Sequence, residues 1–228
     1  MTQCPDPSIS LRVVVTCGPS CEPIDEVRFL SNRSTGELGM LLAHALEKAG
    51  YDVICLRSSL ATYPLHPSIM KVLPFTTNDD LASLLEEVSQ GKPVAAIFHV
   101  AALCDYSVKK ITTLDGQTLS AQKIPTSSGP LQMILEPTSK VISKLRGFFP
   151  ESIIVGWKYE VEGTRHEALS KAEHQIFKYQ LDACVANGAV FLNKLEFISS
   201  SQERESCASK EALVSFLLDW THKIIAKT

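Results

Sequence analysis

The succession of short β-branched runs and segments of helical period constrains this chain more than any other feature. "LRVVVT" (11–16) ends at Cys17-Gly18-Pro19 and reads as a buried parallel strand stopped by a turn. After a long loop, Leu38, Leu41, Leu42, Ala45, Leu46 and Ala49 recur at helical spacing, and Gly50 supplies the stop. "YDVICL" (51–56) and "IMKVLPF" (69–75) read as the next strands. Thr77 and Asn78 are candidate caps for a helix with Leu81, Leu84, Leu85 and Val88 on one face. "VAAIFHVAAL" (94–103) is a further buried strand. Strand, helix and strand in repetition make a parallel sheet with right-handed crossovers and helices on both faces. The fold class is α/β: doubly wound, Rossmann-like and mainly parallel.

From Cys104 to Pro130 the pattern breaks into a polar stretch rich in Thr, Ser and Gly with no helical period, which reads as a long flap or arm. Core structure is expected to resume with "LQMILE" (131–136), a helix from about Thr138 carrying Val141, Ile142 and Leu145, and the strand "IIVGW" (153–157). A polar helix over about 164–179, the strands "DACVA" (182–186) and "AVFLN" (189–193), and a closing helix marked by Leu213, Phe216, Leu217, Trp220 and Ile224 complete the chain. At 228 residues and 45% hydrophobic content, the sequence fits one domain over 1–228.

A formal charge of −3 gives no broad attraction for nucleic acid or anionic lipid, so neither is an expected partner and any phosphate must be held locally. The seven cysteines show no CxxC pair and no zinc spacing, which suits a reduced, cytoplasmic chain. "MTQCPDPSIS" carries no basic segment followed by an apolar run, and no stretch reaches the roughly 18 apolar residues of a membrane span. Cys17 and Cys21 read as packing residues, and His99 as a satisfied core histidine.

"VRFLSNRSTGELG" (27–39) opens the first helix. Unpaired N–H groups and the positive end of the helix dipole let Ser34-Thr35-Gly36 cradle a phosphate, with Gly36 allowing close backbone approach; the plainer alternative is a helix start capped by Ser or Thr. The glycines do not form the G-x-G-x-x-G pattern, so an ordinary dinucleotide site is weakly supported.

"TCGPSCEPIDEVRFLSNRSTGELG", "AALCDY", "KIPTSSGPLQ", "VGWKYE" and "DACVANG" together resemble the phosphopantothenoylcysteine synthetase (phosphopantothenate–cysteine ligase) family, in order and approximate spacing over residues 11–192. The resemblance implies a ligase of coenzyme A biosynthesis that joins 4′-phosphopantothenate to L-cysteine through an acyl-nucleotidylate and releases pyrophosphate. It implies ATP or CTP as co-substrate, Mg²⁺, and a homodimer. "PTSSGPLQ" and Lys158 in "GWKYE" resemble the eukaryotic form and lean towards ATP. By position, Asn32 and Lys123 are the catalytic candidates, Lys123 on a flap expected to be mobile when empty. Gly18, Ser34, Thr35, Gly36, Ala102, Lys158 and Asn187 are implied for nucleotide and phosphate, Arg28, Asn32 and Ala101 for substrate, and Asp105 for the metal. Arg28 has the alternative of an ion pair with Asp25. Lys171 and Lys178 read as a solvated face with possible phosphate contact. The competing reading is a flavin- or nucleotide-binding Rossmann-like protein without ligase activity.

Overall fold

The structure, a computed structural model, describes residues 10–65, 70–120 and 122–226. Cys4 and Ile69, which entered the readings above, lie outside the described residues. The chain begins with β1 (Arg12–Cys17), the short hairpin β2 (Cys21–Pro23) and β3 (Phe29–Ser31), and α1 (Glu37–Lys48). β4 (Asp52–Ser58), β5 (Lys71–Phe75), α2 (Asn78–Ser89) and β6 (Val94–His99) follow. An arm of β7 (Tyr106–Thr113), β8 (Thr118–Leu119) and β9 (Leu131–Pro137) precedes α3 (Leu145–Phe148) and β10 (Ile153–Tyr159). The last elements are α4 (Arg165–Tyr179), β11 (Ala183–Asn187), β12 (Leu195–Ser199), β13 (Arg204–Cys207) and α5 (Lys210–Ile225).

The central sheet has the order β13-β12-β11-β10-β6-β1-β4-β5. The run from β11 to β5 is parallel, while β12 and β13 join antiparallel at one edge. Consecutive side chains of a strand point to opposite faces, so the unbroken valines of β1 divide between two cores. Val13 and Val15 pack with Met40, Leu46, Leu217 and Trp220 of α1 and α5. Val14 packs with Leu81, Leu85, Leu145 and Ile176 of α2, α3 and α4. That double burial is why the strand reads as a continuous apolar run. β1 has β4 on one side and β6 on the other, so the strand order reverses between β1 and β6, and their carboxyl ends border the crevice where open α/β sheets hold ligands.

The doubly wound parallel frame matches the sequence expectation, and several local readings are corrected. The stretch 104–130 is not without regular structure: β7 and β8 lie in it, and β9 completes a three-stranded antiparallel sheet. "LQMILE" therefore belongs to the arm rather than the core, and Leu131, Met133, Ile134 and Leu135 are exposed. The helix expected from Thr138 is a 3-10 turn, Val141–Ser143, followed by the short α3. "AVFLN" is another 3-10 turn, Ala189–Phe191, and Leu192 and Asn193 have positive φ, which ends any strand there. β12 and β13, unread in the sequence, supply the antiparallel edge. Thr77 does cap α2, in a reciprocal capping box with Asp80, whereas Asn78 is the first helical residue. No helix among the described residues is long and apolar enough to cross a membrane.

Gly188 closes β11 at φ 121°, and a Cβ placed there would lie 2.2 Å from the Glu160 carbonyl oxygen. Backbone cannot yield as a side chain can, so Gly188→Ala should cost about 3 kcal/mol of stability by combining strain with a steric clash. Urea denaturation at neutral pH measures it, and a loss below about 0.5 kcal/mol would show that the β10 and β11 ends separate freely.

Candidate functional site

Beyond the carboxyl ends of β1 and β6 the chain continues as two stitched loops. Ala102 N–H donates to the Gly18 carbonyl at 3.0 Å and Ser20 N–H to the Ala102 carbonyl at 3.2 Å. The fully buried Ser20 hydroxyl accepts from Cys104 N–H at 2.8 Å. The β2–β3 hairpin lies directly after this seam. Ser31 donates its hydroxyl to the Ser20 carbonyl at 2.8 Å, and the Asn32 amide donates to the Leu103 carbonyl at 2.8 Å. Asn32 thereby ties the hairpin exit to the loop after β6, with its side chain exposed at the strand ends.

The hairpin turn is organised by Asp25, whose side chain is 1% exposed. Its Oδ1 accepts from Val27 N–H at 2.9 Å and Arg28 N–H at 2.8 Å, an Asx-type turn. Its Oδ2 accepts from Arg28 Nε at 3.0 Å, from Arg28 Nη2, and from Ile124 N–H at 3.2 Å. Arg28 Nη2 also donates to the Ile124 carbonyl at 2.8 Å, and Glu26 N–H to the Gln122 carbonyl at 2.9 Å. The Arg28 guanidinium holds the Asp25 carboxyl well below the usual carboxylate range, reinforced by the backbone N–H donors. Lys123 is exposed between these two anchored neighbours, and Ile124 is 4% exposed.

Gly18 (φ 86°) and Gly36 (φ 79°) meet face to face at the start of α1: a Cβ on Gly36 would lie 3.3 Å from Gly18 Cα and 3.0 Å from Ala61 Cβ. The plainer sequence alternative, a Ser or Thr cap, is not made: the N-cap of the first helix is Gly36 and no side chain caps it. The Thr35 hydroxyl reaches Glu37 N–H only at 3.3 Å and the Ser34 hydroxyl Gly36 N–H at 3.4 Å. The positive end of the α1 dipole therefore faces the strand ends with only these long contacts.

Lys158 is the penultimate residue of β10 and Asn187 ends β11, two strands of the same parallel run. The Lys158 ammonium is 3.1 Å from Glu160 and the Lys171 ammonium 2.5 Å from it, so Lys171 of α4 is engaged in a clip rather than merely solvated. Burial pushes the Glu160 carboxyl up, but the two lysines outweigh it and leave it below its ordinary value. Asn187 accepts from Glu160 N–H at 2.8 Å through its carbonyl. Asp105, at the base of the arm, is ion-paired to Lys140, and both side chains are more than half exposed.

Gly18, Ala102 and Asn32 meet in one seam, Gly36 lies against Gly18 with Ser34 and Thr35 just before it, Ala101 bonds Thr16, Arg28 and the two neighbours of Lys123 meet at the hairpin turn, and Lys158 and Asn187 lie near the ends of neighbouring strands. Sequence reasoning gave Asp25 no role beyond that of a possible Arg28 partner; the D-x-x-R spacing and the polar Asp-Glu turn were its only signal. Glu160 was missed, although alternate positions of a strand share a face and K-Y-E places it beside Lys158. A separate cleft of about 340 Å³ between β2, α2 and the arm is lined by Glu22, Asn78, Asp79, Ser107 and Thr138. Its carboxylates disfavour phosphate there.

Cys17 and Cys21 are buried, and Cys17 lies with its sulfur 3.7 Å from that of Cys55. The neighbouring Cys55 and burial push the Cys17 thiol up, and burial does the same at Cys21, so neither is primed as a nucleophile. Among the described residues no group of three His, Cys, Asp or Glu side chains could hold a metal ion. The Thr16 hydroxyl accepts from Ala101 N–H at 3.1 Å and is hydrogen-bonded to His99 Nδ1 at 3.1 Å, so the buried imidazole has a polar partner.

Burial lowers the His99 pKa to about 4 from an ordinary 6.5. Below pH 6.5 the unfolded chain takes up a proton that the folded chain refuses, so stability should fall as pH drops from about 6.5 to about 4, by about 3 kcal/mol. Urea midpoints across that range should drop more steeply for the native protein than for His99→Asn. Parallel curves would show that His99 protonates without penalty.

Residues 9–223 match the family described as the DNA/pantothenate metabolism flavoprotein C-terminal domain. The chain is 30% identical over 177 residues to the coenzyme A biosynthesis bifunctional protein CoaBC of Thermococcus kodakarensis, a match that covers 77% of this chain and 41% of that protein. It is 25% identical over 241 residues to phosphopantothenate–cysteine ligase 1 of Oryza sativa subsp. japonica, covering 84% and 73%. The chain spans about two fifths of the bifunctional relatives, 41% in Thermococcus kodakarensis and 40% in Methanocaldococcus jannaschii. The DNA/pantothenate metabolism flavoprotein of Streptococcus pneumoniae superposes with a TM-score of 0.83 at 26% identity, over 96% of this chain and 100% of that one. A Cab2 mutant in complex with phosphopantothenate-cysteine superposes at 0.73 with 18% identity, over 95% and 88%, a likeness of fold alone.

Proposed function

The chain belongs to the DNA/pantothenate metabolism flavoprotein C-terminal domain family, and on that premise we propose that it is a phosphopantothenate–cysteine ligase of coenzyme A biosynthesis. The observation that carries this reading is the single hairpin that bears Arg28 and Asn32, is stitched to the loops after β1 and β6, and grips the segment bearing Lys123. In this reading an anion cradle, an amide donor and a cation serve one crevice, which is what joining two polyanions requires.

In the proposed reaction a carboxylate oxygen of 4′-phosphopantothenate attacks the nucleotide α-phosphorus and displaces pyrophosphate. The L-cysteine amine then attacks the acyl carbon, the nucleoside monophosphate departs with the anhydride oxygen, and the amine proton passes to solvent. The uncapped start of α1, with Gly18, Ser34, Thr35 and Gly36, binds phosphate through N–H groups and hydroxyls. Ala101 and Ala102 leave room for the base or the pantetheine arm. Arg28 uses Nε and Nη2 within the protein and keeps Nη1 for substrate. Asn32 uses one amide hydrogen on Leu103 and offers the other to the acyl oxygen. Lys123 covers developing charge, while Lys158 and Asn187 border the nucleotide.

Lys158 and the "PTSSGPLQ" stretch favour ATP over CTP. Asp105, ion-paired to Lys140, is the carboxylate that would hold a Mg²⁺ ion, which would supply neutralisation of phosphate charge. A cytoplasmic setting agrees with buried free thiols.

Pyrophosphate release should require phosphopantothenate and a nucleotide, and should proceed faster with ATP than with CTP. Asn32→Ala should keep the fold and lower turnover about a hundredfold, the usual scale for one lost oxyanion donor. Absence of pyrophosphate with either nucleotide would overturn the ligase assignment, and near-normal turnover in a folded Asn32→Ala protein would remove Asn32 from catalysis.

We further propose a homodimer built on the arm. β9 is an edge strand, and Met133, Ile134 and Leu135 are 44%, 47% and 43% exposed, an apolar edge that a soluble monomer avoids. Light scattering at micromolar concentration should give twice the chain mass, and Ile134→Lys should shift it towards one. A native monomer at that concentration removes the dimer.

A further inference from the structure

The Asp25 carboxylate divides its work by atom. Oδ1 closes the hairpin turn on Val27 and Arg28 N–H, while Oδ2 receives Ile124 N–H and the Arg28 guanidinium that itself donates to the Ile124 carbonyl. The Asp25 carboxylate, 1% exposed, and its Arg28 partner together therefore join the turn to both backbone groups of the residue that follows Lys123. Glu26 N–H fixes the residue that precedes it, through the Gln122 carbonyl. All of these contacts are made within the chain.

We infer that Asp25 is the positioning residue of the flap: its Oδ2, with Arg28 as the second jaw, latches the backbone of Ile124 just after Lys123, and together with the Glu26 N–H on Gln122 sets where that ammonium projects. The inference rests on the ligase reading for the use made of Lys123, and on contact geometry alone for the latch. Its consequence is that the flap closes by a small motion of Lys123 from a docked base, not by the ordering of a free loop. An ion pair and backbone hydrogen bonds supply the holding energy that a segment with one buried apolar residue, Ile124, lacks.

Asp25→Asn tests this selectively. The amide oxygen can still accept from Val27 and Arg28 N–H and keep the turn, but the amide nitrogen then faces Ile124 N–H and the guanidinium as donor against donor. Flipping the amide would restore the latch only by breaking the turn. In the protein without nucleotide, hydrogen exchange at Glu26 and Ile124 should accelerate about tenfold or more, with the rest of the sheet unchanged. Turnover in the cysteine step should fall while nucleotide KM changes little, and Asp25→Glu should recover part of both losses. Arg28→Lys, at a half-exposed position, should accelerate exchange at Ile124 even if Asp25→Asn fails to fold.

Unchanged exchange in the folded variants overturns the latch. Faster exchange with normal ligation overturns its role in placing Lys123. A native protein with no ligase activity overturns the function rather than the latch, which the exchange rates then support or reject on their own.

Discussion

Backbone groups that leave a sheet must find new partners, and here that requirement organises the whole functional face. β1 and β6 end beside the strand-order reversal, and the chain runs on as loops whose N–H and C=O groups lack the ladder. They satisfy one another across Gly18, Ser20, Ala102 and Cys104, and the remaining Leu103 carbonyl is taken by Asn32. The β2–β3 hairpin is held by this seam, and the arm is held by the hairpin. A residue proposed to act on substrate is thus also a structural rivet, because one amide hydrogen of Asn32 serves the seam and the other faces outward.

The same economy recurs in the charges. Asp25 and Arg28 form an i,i+3 pair that would be worth little on an open surface, yet both also bond backbone groups of Ile124, almost a hundred residues away in the chain. Glu160 gathers Lys158 of β10 and Lys171 of α4, so two cations from different elements are held by one carboxylate.

The glycines of the α1 turn read in the sequence as a candidate phosphate cradle, and their geometry has a cause of its own. Gly18 and Gly36 are pressed against each other and against Ala61, so protein packing alone demands them. Packing and ligand access are compatible because the close approach leaves the helix start uncapped. The arm was the least legible part. Its Thr and Ser residues suggested a loop, whereas Ile111 and Thr112 are buried within a small antiparallel sheet and the apolar row of β9 is left outside.

By itself the sequence determined the doubly wound frame, since two-faced valine runs and one-faced leucine stripes admit few other arrangements, and it determined which residue types could serve phosphate, carboxylate and amine. Period and spacing are local properties, so local inspection recovers them. Only the tertiary structure decided that "LQMILE" lies in the arm, that Ser20 and Cys104 close the seam, and that Asp25 grips Ile124. Those outcomes depend on hydrogen bonds between segments distant in the chain, whose partners are chosen by geometry after collapse rather than by any pattern along the sequence.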